Sequence, residues 1–275
     1  MTVTVLGMGD TRMRPGHIEF HIKVWYLRDW LKEQLAQGLI KPDDLVVFLD
    51  GYDVIVRGDK AAILQAWQAL GSPDIVLSGE RYCWPDREEA DAFDKLAQAA
   101  GSTSEFRYLC SGMYAGKAGV LSAALNTLPE LAVADDDQRM WTRAFKAHGA
   151  RWGMKLDRDH VMLPSANGHT EEEAMANTAP LLHLNGSGGK TLLDNLFRRL
   201  YPMALQPGDV PLGRKGAGLV TVKDTGPVEL STPVSTADCS AVTPLAVSLA
   251  FVSAGLLVAV VFIIYMAVRT RRQQQ

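Results

Sequence analysis

Eight residues near the start of this 275-residue chain, Val46-Val47-Phe48-Leu49-Asp50-Gly51-Tyr52-Asp53, restrict its fold more than any other stretch. Four consecutive apolar residues, two of them β-branched, describe a strand buried on both faces, as in a sheet covered by helices on each side. The run stops at two carboxylates flanking Gly51 and Tyr52. Ligands of open α/β sheets sit at the carboxyl ends of the strands, so Asp50 and Asp53 emerge where a ligand is expected. Paired carboxylates there suit a hard divalent cation that also holds phosphate oxygens. Asp-Gly is equally good turn chemistry, and both readings stand at this point.

The rest of the chain repeats the strand–helix alternation. Met1 to Leu6 alternates as a short strand, and Ile18 to Gln37 has helical spacing that ends at Gly38. Asp59 caps a helix running to about Leu70, Ile75-Val76-Leu77-Ser78 is a second apolar strand, and Gly79 to Pro85 is a polar and aromatic loop beyond it. Residues 86 to 101 are polar and helical in pattern. Asp135-Asp136-Asp137-Gln138 opens a further helix, whose N-terminus favours acidic side chains. Met154 to Leu156 and Leu181 to Leu184 are short strands. Asn185-Gly186-Ser187-Gly188-Gly189-Lys190 reads as a glycine-rich loop able to cradle phosphate, without P-loop spacing, before a helix from Leu192 to Tyr201. Short strands alternating with helices place the chain in the α/β class.

Composition excludes some functions. A net charge of −3 gives no basic footprint for nucleic acid. Cys83, Cys110 and Cys239 have neither zinc spacing nor a disulfide framework. Gln206 to Pro244 has no period and is rich in Pro, Gly, Ser and Thr, the pattern of a stalk. Leu245 to Val268 carries no charge over 24 residues, long enough at ~1.5 Å per residue to cross the ~30 Å hydrocarbon core. Arg269, Arg271 and Arg272 then favour a cytoplasmic C-terminus. The expectation is a single-pass membrane protein of the endoplasmic reticulum or Golgi. Its domain, residues 1–205, would be lumenal, followed by a stalk (206–244), a transmembrane helix (245–268) and a short basic tail (269–275).

Strand-end polar residues Asp50, Asp53, Glu80 and His183 add a chemical clue, since manganese accepts carboxylate and imidazole together. Read in order, the chain resembles the glycosyltransferase domain of the procollagen lysyl hydroxylases and their stand-alone relatives. The similarity rests on Val47 to Ile55, Leu6-Gly7-x-Gly9, Lys23-Val24, Ser78-Gly79-Glu80, Cys83-Trp84-Pro85, Leu109 to Gly116, Asp135 to Gln138, Leu156-Asp157 and His183-Leu184-Asn185-Gly186. It covers about residues 2 to 202.

The resemblance implies a GT-A-like (Rossmann-like) mixed sheet flanked by helices, and hexose transfer from a UDP-sugar with Mn2+ to a hydroxyl on a protein or glycan acceptor. It implies Asp50, Asp53 and His183 as metal ligands and Tyr52 as a contact of the uridine–ribose portion. Lys23, Lys190 and Gly186 fall near the donor phosphates, and Trp84, Asp136 and Asp137 on the sugar and acceptor side. Cys110 stands where the family usually has Asn, and Leu184 where it has Gly. Two other readings are a non-catalytic relative that binds a glycan or sugar nucleotide, and a phosphohydrolase with Asp50 as nucleophile. The second expects its other acid two residues on, whereas Asp53 is three away.

Overall fold

The computed structural model of the protein describes residues 2–6, 22–51, 53–128, 136–200 and 261–266. Its main sheet has six strands in the order β1 (Thr2–Leu6), β8 (Val261–Met266), β2 (Leu45–Asp50), β5 (Tyr108–Lys117), β4 (Ile75–Glu80) and β6 (Met154–Asp157). β5 is antiparallel to both β2 and β4, and β6 is parallel to β4. The sheet is therefore mixed, and β2, β4 and β6 deliver their carboxyl ends, Asp50, Glu80 and Asp157, to one edge. A small second sheet pairs β3 (Val54–Val56) with β7 (Leu181–His183), setting Val54 opposite His183.

β2 is buried on both faces, as its uninterrupted apolar run requires. Val46 and Phe48 join a cluster with Leu27 and Leu31 of α1 (Ile22–Ala36), Leu121 and Leu125 of α4 (Ala118–Thr127) and Trp141 of α5 (Asp137–His148). Leu45, Val47 and Leu49 face the opposite cluster, with Ile63 and Trp67 of α2 (Lys60–Ala69). Such a strand, sealed on both sides, has little freedom to slip, because a shift of one residue would exchange its two packed faces. The expected caps form. The Asp59 carboxylate accepts the Ala62 N–H at 2.9 Å, and Gly38 supplies the left-handed residue after α1 with φ 68°.

The expectation of a single helix over residues 245–268 is corrected where the structure describes that segment. Val261–Met266 is extended and hydrogen-bonds on both sides, Ile264 lying opposite Val3 of β1 and Val47 of β2. Uniform apolarity suits a lipid bilayer and a central sheet position alike, and Val261-Phe262-Ile263-Ile264-Tyr265 has the β-branched and aromatic character that favours a strand. Among the described residues, no helix is long and apolar enough to cross a membrane. Residues 206–244, the rest of 245–268 and the arginine tail lie outside the described residues.

The glycine-rich stretch is corrected too. It is not an open loop but the first turn of α7 (Gly186–Leu200). Gly189 is needed for packing, since a Cβ there would sit 2.4 Å from the Leu184 carbonyl carbon. Beyond α3 (Ala90–Ala99) and α6 (Glu171–Ala176), no further helix of six or more residues occurs among the described residues.

The central position of β8 is open to test. Ile264→Pro removes a backbone donor from a strand paired on both sides, leaves a buried carbonyl unpaired and should destabilise the domain by roughly 1–3 kcal/mol in denaturant unfolding. An unchanged unfolding midpoint would show that the domain folds without β8 in its sheet.

Candidate metal centre

The site forms where the two sheets meet. Asp50 ends β2, Asp53 follows three residues later, and the Asp53 carbonyl accepts the Leu184 N–H at 2.7 Å. That bond and the β3–β7 ladder bring the end of β7 against the end of β2, so His183 reaches Asp53 across 130 residues of sequence. His183 Nε2 lies 3.1 Å from Asp53 Oδ1, and both side chains are buried. Ligand atoms of Asp50, Asp53 and His183 lie within 4.8 Å of one another. The family resemblance, with strand-end position, implied these three as a ligand set, and the structure brings their side chains together.

β5 contributes a distortion at the same place. Its register against β4 jumps between Leu77, opposite Tyr114, and Ser78, opposite Cys110. Ser111, Gly112 and Met113 are thus extra on that side, and bulges of this kind re-aim side chains beside active sites. Gly112 lies flat against the His183 ring. A Cβ at residue 112 would fall 2.0 Å from His183 Cε1.

Lys23, from α1, is buried with its Nζ 3.0 and 3.1 Å from the two Asp50 oxygens and 3.1 Å from Asp137 Oδ2. It therefore links the Asp50 carboxylate to the start of α5. Burial opposes the charge on Lys23, but Asp137 and Asp50 outweigh it and hold the ammonium protonated well above its ordinary range. Burial raises the pKa of Asp137 against the pull of Lys23. Asp136 is the N-cap of α5, accepting the N–H groups of Gln138 at 2.8 Å and Arg139 at 3.3 Å. Its pKa is also raised, by burial and then by the Asp137 charge. Asp136 thus serves the capping role that its sequence context predicts while its carboxylate faces the cleft.

Sequence reasoning noted Glu80 only as a polar strand end and assigned no role to Gln138, Asn185 or Cys110. Glu80 is buried at the tip of β4, accepting from Gln138 Nε2 at 2.7 Å and Asn185 Nδ2 at 3.1 Å. Gln138 also donates to the Trp84 carbonyl at 2.9 Å and accepts from the Ser111 N–H at 3.3 Å. This one side chain ties α5, the loop after β4 and the β5 bulge together. The visible clue was position, since Gln138 follows Asp137 by one residue and Asn185 follows His183 by two.

The side chains open into a cleft of about 870 Å³ that Trp84, Arg81, Arg87, Asp136 and Gly186 also line. Trp84 is 60% exposed, presenting its indole at the rim. Lys190 lies in the second turn of α7, with only its backbone described. Tyr52 lies outside the described residues.

Burial raises the Glu80 pKa to about 7, against the hydrogen bonds from Gln138 and Asn185 that lower it. Burial also works against charge on His183, yet the Asp53 carboxylate, helped by Cys110, lifts its pKa well above the usual imidazole value. Two hard carboxylates and an imidazole converging on one point form a donor set for a divalent ion that tolerates nitrogen.

Glu80 also gives a stability signature. The folded protein keeps this proton up to about pH 7, while the unfolded chain loses it at its usual value of 4.5, so stability falls as pH rises through that window. Glu80→Gln removes this loss. Between about pH 5 and about pH 8, wild type should lose on the order of 2 kcal/mol more than the variant in denaturant unfolding. Parallel pH profiles would mean that Glu80 is ionised throughout.

Comparison with known proteins bears on this site. The sequence matches the family described as PLOD GT domain over residues 1–187. It is 27% identical over 173 residues to the human multifunctional procollagen lysine hydroxylase and glycosyltransferase LH3, covering 62% of this chain and 22% of that protein. It is 29% identical over 162 residues to the procollagen-lysine,2-oxoglutarate 5-dioxygenase of Drosophila melanogaster, covering 56% and 20%. Against procollagen-lysine,2-oxoglutarate 5-dioxygenase 2 of Mus musculus it is 26% identical over 206 residues, covering 74% and 26%. The chain spans about a quarter or less of the length of these curated relatives.

Proposed function

This chain belongs to the PLOD GT domain family, and on that premise we propose that it is a metal-dependent glycosyltransferase. It moves a hexose from a UDP-sugar to a hydroxyl acceptor on a protein or glycan, of the procollagen hydroxylysine type or related to it. The observation that carries this reading is the convergence of Asp50, Asp53 and His183 at the base of a cleft whose walls hold Glu80, Asp136, Asp137 and Trp84.

The three ligand residues fit Mn2+ better than Mg2+, because imidazole sits poorly with magnesium. When bound, Mn2+ supplies Lewis-acid stabilisation of the charge that develops on the departing diphosphate. Every other part of the mechanism belongs to this chain. Lys23, held between Asp50 and Asp137, is a second positive charge for the donor phosphates. The N-terminus of α7, beginning at Gly186 on the cleft wall, adds the partial positive charge of a helix start. Trp84 offers an aromatic face to a sugar ring, since its indole is open to solvent at the rim. Asp136 and Asp137, kept rigid by the start of α5, face the anomeric carbon as it becomes cation-like. Glu80, fixed by Gln138 and Asn185, orients the acceptor or sugar hydroxyl. In this account Tyr52 contacts the uridine–ribose portion and Lys190 lies near the phosphates.

The test is release of UDP from UDP-glucose and UDP-galactose by the purified full chain with Mn2+. Turnover should require the metal and fall in Asp53→Ala by at least ~100-fold, the upper end of what even an outer-sphere change costs. UDP binding without any Mn2+-dependent turnover would instead identify a non-catalytic family member that binds sugar nucleotide.

A further inference from the structure

His183 is gripped on three sides. Asp53 Oδ1 meets Nε2 at 3.1 Å, the bare backbone of Gly112 covers the ring, and Cys110 Sγ meets Nδ1 at 3.6 Å. Cys110 is 2% exposed, and its sulfur also receives Asn185 Nδ2 at 3.6 Å. The register jump in β5 is what turns Cys110 toward His183.

The two ring nitrogens have different surroundings, and that difference is informative. Nε2 faces the carboxylates, so it is the nitrogen that can offer a lone pair to a cation shared with Asp50 and Asp53. A neutral imidazole that uses Nε2 in this way carries its proton on Nδ1. The sulfur, 3.6 Å away, is then the acceptor of that Nδ1–H. The opposite arrangement, S–H donating to Nδ1, would put the proton on Nε2 and aim it at the metal position. Cys110 itself is not among the side chains that converge on the cation position.

We propose that Cys110 is a positioning residue for the metal centre: its sulfur accepts Nδ1–H of His183 and holds the ring with Nε2 directed at the Asp50–Asp53 carboxylates. This rests on the metal-dependent reading above. Ligating histidines usually give their second N–H to a carboxylate, a carbonyl or water, whereas here a thiol takes that role. A sulfur acceptor is weaker and more polarisable, and Gly112 against the ring, Asp53 at Nε2 and Asn185 at the sulfur together keep the longer bond directional. The thiol undergoes no redox or covalent step in this role.

The experiment measures Mn2+ affinity of the full chain by titration calorimetry for wild type, Cys110→Ala, Cys110→Val, Cys110→Ser and Asp53→Ala. The melting temperature of each metal-free protein is recorded, along with the near-ultraviolet spectrum of the Co2+-loaded wild type. Removing the acceptor should weaken Mn2+ binding ~10- to 100-fold in both the alanine and valine variants, with metal-free melting little changed. Serine, which keeps an acceptor, should recover part of the loss. If alanine leaves a cavity that prevents folding, the bulkier valine variant carries the same comparison. Affinity within about twofold of wild type in the folded alanine or valine variant would overturn the proposal. So would a sulfur-to-cobalt charge-transfer band, because the thiol would then be a direct ligand. A wild type that binds Mn2+ no better than Asp53→Ala would overturn the metal reading itself, a pattern distinct from binding that is merely indifferent to Cys110.

Discussion

Five carboxylates, Asp50, Asp53, Glu80, Asp136 and Asp137, line one cleft, and three of them are less than 10% exposed. Like charges in so confined a volume are costly, because burial weakens the solvation that normally supports them. The protein meets this cost in three ways. Lys23 pairs with Asp50 and Asp137, His183 pairs with Asp53, and Glu80 holds its proton to about pH 7. Residual negative potential around Asp50 and Asp53 is what a divalent cation would neutralise. The arrangement explains why Lys23, on a helix otherwise engaged in core packing, is buried.

Geometry follows from the strands. β2 is sealed between two apolar clusters, so its end is a rigid platform for Asp50. β3 and β7 then swing Asp53 and His183 back over it through a short ladder and the bond from Leu184 N to the Asp53 carbonyl. Catalytic constellations need this kind of support, since small displacements of ligand groups have large effects on rate.

Much of this was legible in the sequence because the signals were local. The Val46–Leu49 run, the Asp59 cap, Gly38 after α1 and the acidic start of α5 each depend on neighbours a few residues away. The Asp50–Asp53 pair with His183 was legible as strand-end chemistry joined to family resemblance. The β5 bulge was not, because a three-residue register jump arises from pairing with β4 and leaves no local mark. Without it, neither the Cys110–His183 contact nor the need for Gly112 could be foreseen. Two local signals pointed to the wrong state. Gly186 to Lys190 looked like a loop, but two of its glycines serve close approach at the start of α7, Gly186 against Asn167 and Gly189 against Leu184. Val261–Met266 looked helical because apolarity over a long window does not separate a bilayer from a sheet interior.

The central claim is that the Asp50–Asp53–His183 centre joins a divalent cation to a nucleotide diphosphate. Calorimetric titration of UDP into the full chain, with and without Mn2+, tests it most directly. UDP should bind at least tenfold tighter with Mn2+, about 1.4 kcal/mol, and that gain should be lost in His183→Ala. Equal UDP affinity with and without the metal would contradict it.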